Sequence, residues 1–399
     1  MEIKSRFNSL ALLALLSASM PLYAEGEVIP FISLTTVSDN NLYRLDNSID
    51  EDLLSVSKSD TIFQTAVGLN VDWKVSRQSF LFKASMVDSR FDKNSQLDNL
   101  GQNLSAKWNW LFGSQFKGVA SVDHNVTLSD FANTTSLQKS ERTQDRVNLT
   151  GNWRYHPSWQ VGLGLNTYDS FYDTVEREVS DLEQVVTSLN WDYLSKTGSR
   201  LGLKLQSTNG ELPNRVVTED SFIDNEFDQN ALLISALWIS SGKSRFDIDF
   251  GLVTRKHPNI SERDYDGVNA NLKYEWFPTG KLLFVAEGYR KVVSSEDLLA
   301  SYSENTGVKI TSAWLFSDKV RLNANLGSEK RGYSGQTGFI DGLESTLEEQ
   351  YDNYSLGLQY QPHRNFDLGL SYNRSYRDST RELRDYSDDL ISLNLTINL

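Results

Sequence analysis

The chain has 399 residues, a formal net charge of −14 and no cysteine, and hydrophobic residues make up 39% of it. The acidic balance argues against nucleic acid as a partner, because phosphate neutralisation needs a basic surface. The absence of cysteine excludes a disulfide framework. After residue 24 no apolar run approaches the roughly 20 residues of a membrane helix. A transmembrane β-barrel is still compatible with the sequence, because only alternate residues of its strands face lipid.

The first 24 residues have the organisation of a secretory signal peptide. Basic residues precede an apolar run from Leu10 to Leu16, and Ala24 offers a small residue at the cleavage point. The alternative, an anchoring helix, needs a longer apolar run than this one. We therefore predict a signal peptide over 1–24 and a single mature domain over 25–399.

An aromatic residue recurs about every 40 residues, where a stretch of alternating polar and apolar residues ends and a short turn follows. A repeat of this length with period-two alternation indicates successive β-hairpins. Because Trp and Tyr collect at membrane–water interfaces, the series predicts the aromatic girdle of a transmembrane β-barrel. The predicted girdle consists of Trp73, Trp110, Trp153, Trp191, Trp238, Trp276, Trp314 and Tyr360.

The alternation is clear in the segment 146–155, where Val147, Leu149 and Trp153 oppose Arg146 and Asn148. A soluble β-sandwich alternates as well, with its apolar face turned inward. Charged residues on the polar face and aromatic residues repeated at the strand ends favour the membrane barrel over the sandwich.

The connections between predicted strands alternate in length. Eight tight turns and nine longer polar stretches predict 18 strands, or 16 if one weak hairpin is misread. Outer-membrane barrels place short turns in the periplasm and long loops outside, which puts both termini on the periplasmic side. The long loops carry most of the acidic residues. This acidity fits a solvated rim, and also divalent-cation bridging to anionic surface lipid.

Charged residues on the polar strand faces are predicted to line the lumen. The acidic members are Asp72, Asp123, Asp192, Asp247, Asp249, Glu275 and Asp367. The basic members are Lys83, Lys107, Lys117, Arg146, Arg154, Lys204, Arg255, Lys273, Lys309 and Arg321. Rings of charged side chains select permeants by sign, so the small basic excess is consistent with a weakly anion-preferring channel. A lumen filled by mutual salt bridges and water is the alternative.

The segment Phe31–Leu34 is followed by Ser38-Asp39-Asn40-Asn41-Leu42-Tyr43-Arg44-Leu45. This stretch resembles the opening motif of beta-barrel porin 2 type proteins, including the EpsL-like proteins of exopolysaccharide operons. The resemblance implies an outer-membrane barrel that serves export or surface retention of an extracellular polysaccharide. It transfers no catalytic residues. Physically, Asp39, Asn40 and Asn41 suit a bulge or turn at the outer end of the first strand, with direct ligand contact as the alternative.

Catalysis is not predicted. The four histidines are His124, His156, His257 and His363, and alternation places His124 on the opposite face from its neighbours. No nucleophile elbow, zinc-protease motif or phosphate loop is present, and no metal site or cofactor is predicted.

The leading functional prediction is an outer-membrane barrel for export or surface retention of a polysaccharide. A general diffusion porin for small solutes is the alternative, and an outer-membrane hydrolase is the least favoured. The predicted partners are outer-membrane lipid, an anionic polysaccharide and periplasmic export proteins, with no nucleic acid. The sequence leaves the oligomeric state open.

Overall fold

The computed structural model describes residues 25–134, 136–215, 225–259, 261–294, 302–334 and 347–399. The predicted signal peptide over residues 1–24 lies outside these ranges.

One closed sheet of 18 antiparallel strands forms the molecule. Each strand pairs with its neighbours in sequence, and β1 pairs with both β2 and β18, which closes the barrel. The prediction of 18 strands is thus confirmed, and the alternative of 16 is excluded. The strands are β1 (Glu25–Asp39), β2 (Asp60–Val75), β3 (Gln78–Phe91), β4 (Asn99–Phe112), β5 (Phe116–Leu128), β6 (Glu141–His156), β7 (Trp159–Tyr172), β8 (Leu182–Leu194), β9 (Arg200–Glu211), β10 (Glu226–Ser241), β11 (Ser244–Lys256), β12 (Tyr265–Thr279), β13 (Leu282–Ser294), β14 (Tyr302–Ser317), β15 (Val320–Ser334), β16 (Glu348–His363), β17 (Phe366–Ser379) and β18 (Tyr386–Asn398).

The two faces of the wall follow from the alternation of each strand, because directly opposed residues share a face. Leu34 pairs with Leu395, and both lie on the outer surface. On the lumen side of the same seam, Asn394 donates hydrogen bonds to Ser33 Oγ and Thr35 Oγ1, each at 2.7 Å. An apolar exterior and a hydrogen-bonded polar interior thus close the barrel at β1 and β18.

Helices contribute little to the fold. The described ones are α1 (Val175–Glu178) and three single-turn 3-10 helices at Glu51–Leu53, Ser95–Leu97 and Ser261–Arg263. Within the described ranges, no helix combines the length and apolar character needed to cross a membrane.

Connections at one end of the barrel are tight turns, and those at the other end are longer. By the rule for outer-membrane barrels, the long connections face outward. We name five of them by their residues: L1 (40–59), L2 (92–98), L3 (129–140), L4 (173–181) and L9 (380–385).

The main hydrophobic core lies inside the mouth of the barrel. It joins residues of L1, L2 and L3 to lumen-facing strand residues, and its buried members are Leu42, Tyr43, Ile62, Phe91, Leu97 and Phe131. We call L1, L2 and L3 together the mouth plug. Apolar residues are needed here because the loops fold over one another and exclude water.

Candidate functional site

The aromatic girdle residues all lie on the outer face, near the tight turns. Trp153 stacks on Phe116 with ring centroids 5.8 Å apart, and Trp276 stacks on Phe284 at 5.7 Å. The Trp110 ring covers Gly118, where an added Cβ would lie 2.3 Å from the ring. The outward-facing set is Trp73, Trp110, Trp153, Trp191, Trp238, Trp276, Trp314 and Tyr360.

The lumen face carries every basic residue assigned to it by alternation. Lys273 forms an ion pair with Glu275 at 2.7 Å, and Arg255 is buried in the wall. Eight have no ion pair with any described side chain, namely Lys83, Lys107, Lys117, Arg146, Arg154, Lys204, Lys309 and Arg321.

The acidic residues of the lumen are partly neutralised. Asp72 pairs with Lys74 at 3.5 Å, and Asp192 is buried beside Arg200 at 3.7 Å. Asp123, Asp247, Asp249 and Asp367 also face the lumen and form no ion pair with a described side chain.

One arc of the wall, from β3 to β6, is basic. Lys83, Lys107, Lys117 and Arg146 project from it into the lumen, and Asp123 is the one carboxylate on the lumen face of these four strands. Arg146 lies over the Tyr168 ring, with its guanidinium carbon 5.1 Å from the centroid. A solute passing this arc meets concentrated positive charge, whereas basic and acidic residues both face the lumen on the strands from β11 to β14.

The mouth plug is anchored by polar contacts as well as by its apolar core. Asn94 of L2 is 1% exposed; its side chain donates to Asp60 Oδ2 at 2.9 Å and to the Ser57 carbonyl at 3.0 Å. The Tyr43 hydroxyl donates to Asn94 Oδ1 at 3.3 Å, and the Tyr43 and Phe131 ring centroids are 4.7 Å apart. Burial raises the pKa of the Tyr43 phenol, which stays protonated.

The motif Asp39 to Arg44 forms the turn that sends L1 into the mouth. Asp39 is 3% exposed and accepts hydrogen bonds from the Asn41 amide at 2.8 Å and from Arg44. Arg44 has a φ of 54° and also pairs with Asp388 at 3.0 Å. Burial lowers the pKa of Arg44, but Asp39 and Asp388 outweigh it and raise that pKa.

Other members of this motif bridge the barrel seam. The Asn40 side chain donates to Asp389 Oδ2 at 3.1 Å, and Asn41 Nδ2 donates to the Ser387 carbonyl at 3.0 Å. Leu42 is buried in the plug core. The motif thus joins β1, β18 and L1, and its left-handed residue is Arg44 rather than one of the asparagines.

Three buried arginines tie the loops together across the mouth, and the sequence pattern did not single them out. Arg377 on β17 donates to the Ala132 carbonyl of L3, a contact that crosses the barrel. Arg177 in L4 donates to Ser129 Oγ at 2.7 Å, and Arg215 donates to the Val179 carbonyl at 2.9 Å. In the sequence Arg177 and Arg377 stand beside acidic residues, whereas Arg215 has no acidic neighbour.

His124 faces outward, on the opposite side of the wall from Ser121 and Asp123. Its Nδ1 lies 2.6 Å from Asp145 Oδ1. No serine or threonine hydroxyl of the described residues hydrogen-bonds to this ring, so the pair lacks a nucleophile. The described residues contain no cluster of three or more His, Asp or Glu side chains placed to hold a metal ion.

A row of carboxylates follows the outer rim of the wall from β6 to β10. Successive members are directly opposed across neighbouring strands and point outward. They are Asp145, Asp169, Glu183, Glu211 and Glu226. Like charges opposed in this way destabilise a sheet.

We expect Glu183→Gln to stabilise the barrel, because it removes the repulsion from both Asp169 and Glu211. The gain should be about 0.5 kcal/mol per relieved pair. The measurement is the temperature at which the folded band is lost on an unheated gel. Asp378→Asn is the control, since Asp378 faces outward opposite the neutral Gln350. An unchanged or lowered transition for Glu183→Gln would contradict the repulsion.

A closed 18-stranded wall with an apolar exterior, an aromatic girdle and a polar lumen defines an outer-membrane β-barrel, and the protein resides in the outer membrane. A family model described as "Putative beta-barrel porin 2" matches residues 241–399. This match lies in the second half of the barrel and does not include the motif at residues 39–44.

Three solved bacterial structures are similar to this chain in fold. The Pseudomonas aeruginosa OccK2 (OpdF) structure is 9% identical and has a TM-score of 0.50, with 94% of this chain and 98% of that chain covered. The outer membrane protein opdK from Pseudomonas aeruginosa is 10% identical with a TM-score of 0.49, covering 94% and 99%. A BenF-like porin from Pseudomonas fluorescens Pf-5 is 9% identical with a TM-score of 0.49, covering 94% and 99%. No curated protein matches the chain.

Proposed function

We propose that the protein is a passive channel for small solutes across the outer membrane. The observation that carries this proposal is the lumen: its wall is lined by charged and amide side chains, and cavities of about 420 and 450 Å³ open along the side away from the mouth plug. Side chains that bind solutes weakly at several positions suit conduction, because a permeant must both enter and leave.

The mouth plug narrows this channel rather than filling it. The plug packs against lumen residues of β1 to β3 and reaches β17 through L3, whereas the cavities lie between β7 and β14. We therefore place the entry on the side of β7 to β14, while the basic arc of β3 to β6 faces the lumen below the plug. We infer a preference for anions over cations from this arc.

The polysaccharide role expected from the resemblance has no support in the comparisons, which find porins. A solute channel, the alternative reading, fits them better. Catalysis has no support either, since the matching family model and the BenF-like structure are described as porins.

Replacing Lys83, Lys107, Lys117 and Arg146 together with Gln should abolish the anion preference measured by reversal potential in planar bilayers. The reason is that charges in a confined lumen act on a permeant at short range, whereas exposed charges are screened within about 10 Å. The matched control replaces Lys196, Lys243, Lys281 and Lys319, which lie at the tight turns.

Unaltered selectivity in the lumen variant, or an equal change in the turn variant, would contradict the role of the arc. Absence of any conductance from the folded wild-type protein would refute the channel itself.

A further inference from the structure

One cavity of about 420 Å³ opens off the lumen between β7 and β13. Its polar wall includes Tyr168, Gln184, Gln206, Thr208, Gln229 and Arg255. Each of these residues lies on the lumen face of its strand, on the side of the barrel that the mouth plug leaves open.

Three glutamine residues in this wall have side-chain amides that form no hydrogen bond with a described residue. Gln184, Gln206 and Gln229 lie on the consecutive strands β8, β9 and β10, and none forms a hydrogen bond with another described residue. Gln229 is 8% exposed, and its buried Oε1 has no hydrogen-bond partner. Leaving a buried acceptor unsatisfied costs about 1–3 kcal/mol, and rotation of the Gln229 side chain into the cavity would let this oxygen accept a hydrogen bond from a ligand and recover that free energy.

The charged residue of the cavity wall, Arg255, is packed inside that wall. Arg255 is 2% exposed, and its guanidinium carbon lies 3.6 Å from the centroid of the Phe227 ring. Its Nη2 donates to Ser294 Oγ at 3.1 Å and its Nε donates to His257 at 3.3 Å. The Phe227 ring covers Gly210, where an added Cβ would lie 2.1 Å from it. Among the described residues that line the cavity there is no carboxylate.

We propose that this cavity is a binding subsite for an uncharged polyhydroxylated solute of monosaccharide size, an inference that rests on the proposed channel function. A primary amide donates and accepts hydrogen bonds, as does each sugar hydroxyl, so an array of amides matches a polyol. The volume equals that of about 14 water molecules at roughly 30 Å³ each, which suits a hexose with part of its hydration shell.

The test is equilibrium binding of D-glucose to the folded, detergent-solubilised protein, measured by saturation-transfer NMR. We expect Gln229→Met to weaken binding by about tenfold, the loss of roughly one hydrogen bond. Removal of an unsatisfied buried carbonyl should leave the barrel as stable as the wild type or more so. The matched control is Gln359→Met, which makes the same change on the lumen face of β16, outside the cavity.

Absence of glucose binding to the wild type, or equal weakening in the control variant, would overturn the subsite. Tighter binding of D-gluconate than of glucose would overturn the assignment to an uncharged solute. Ion conductance of the same preparation tests the channel separately. Conductance without glucose binding removes the subsite and keeps the channel, whereas binding without conductance keeps the subsite and removes the channel.

Discussion

Tyr43→Ala should open the mouth of the barrel and raise its single-channel conductance. Tyr43 is 1% exposed, packs on Phe131 of L3 and donates to Asn94 of L2, so one side chain joins the three loops of the plug. Truncation of a buried aromatic residue costs about 3–5 kcal/mol of stability. Here the loss destabilises the packing of the loops and leaves the hydrogen bonds between the strands intact. The barrel should therefore still assemble, with a larger and less uniform conductance.

The conservative variant separates packing from hydrogen bonding. Tyr43→Phe keeps the ring and loses two hydrogen bonds, one to Asn94 at 3.3 Å and one from Gln96 at 3.1 Å, so it should conduct almost as the wild type does. A Tyr43→Ala channel with unchanged conductance would show that the plug does not limit the pore.

Replacing a girdle tryptophan with aspartate should impair assembly strongly. Trp153→Asp and Trp276→Asp remove ring stacking on Phe116 and Phe284 and place a charge at the lipid boundary. The charge costs on the order of 1 kcal/mol or more depending on depth, in addition to the lost packing. The measurement is the folded fraction on an unheated gel after refolding into lipid.

The controls carry the same new charge on the lumen face. Asn152 precedes Trp153 on β6, and Asn271 lies on the lumen face of β12. Asn152→Asp and Asn271→Asp should assemble almost normally, because the lumen is hydrated. Equal losses in both sets would mean that outward and inward positions are not distinguished by lipid.

Most of the wall could be predicted from the sequence. Residues of a barrel strand alternate between lipid and water, so period-two patterns and turn residues indicate strands, faces and connections without knowledge of distant contacts. The segment from Ile391 to Ile397 shows this, since its apolar residues lie outward and Asn394 and Thr396 lie inward. The count of 18 followed from the same local signals.

The mouth could not be predicted in the same way. Loop residues have no periodicity, and their partners are distant in sequence, as with Arg377 and Ala132. Alternation placed Arg255 in the lumen, but only the packing of Phe227 and the contact with Ser294 decided that its charge is buried in the wall. The unsatisfied Gln229 oxygen depends likewise on which side chains approach it. Local periodicity thus determined the barrel, and tertiary packing across the lumen decided how the loops fold into the mouth and which polar side chains are buried there.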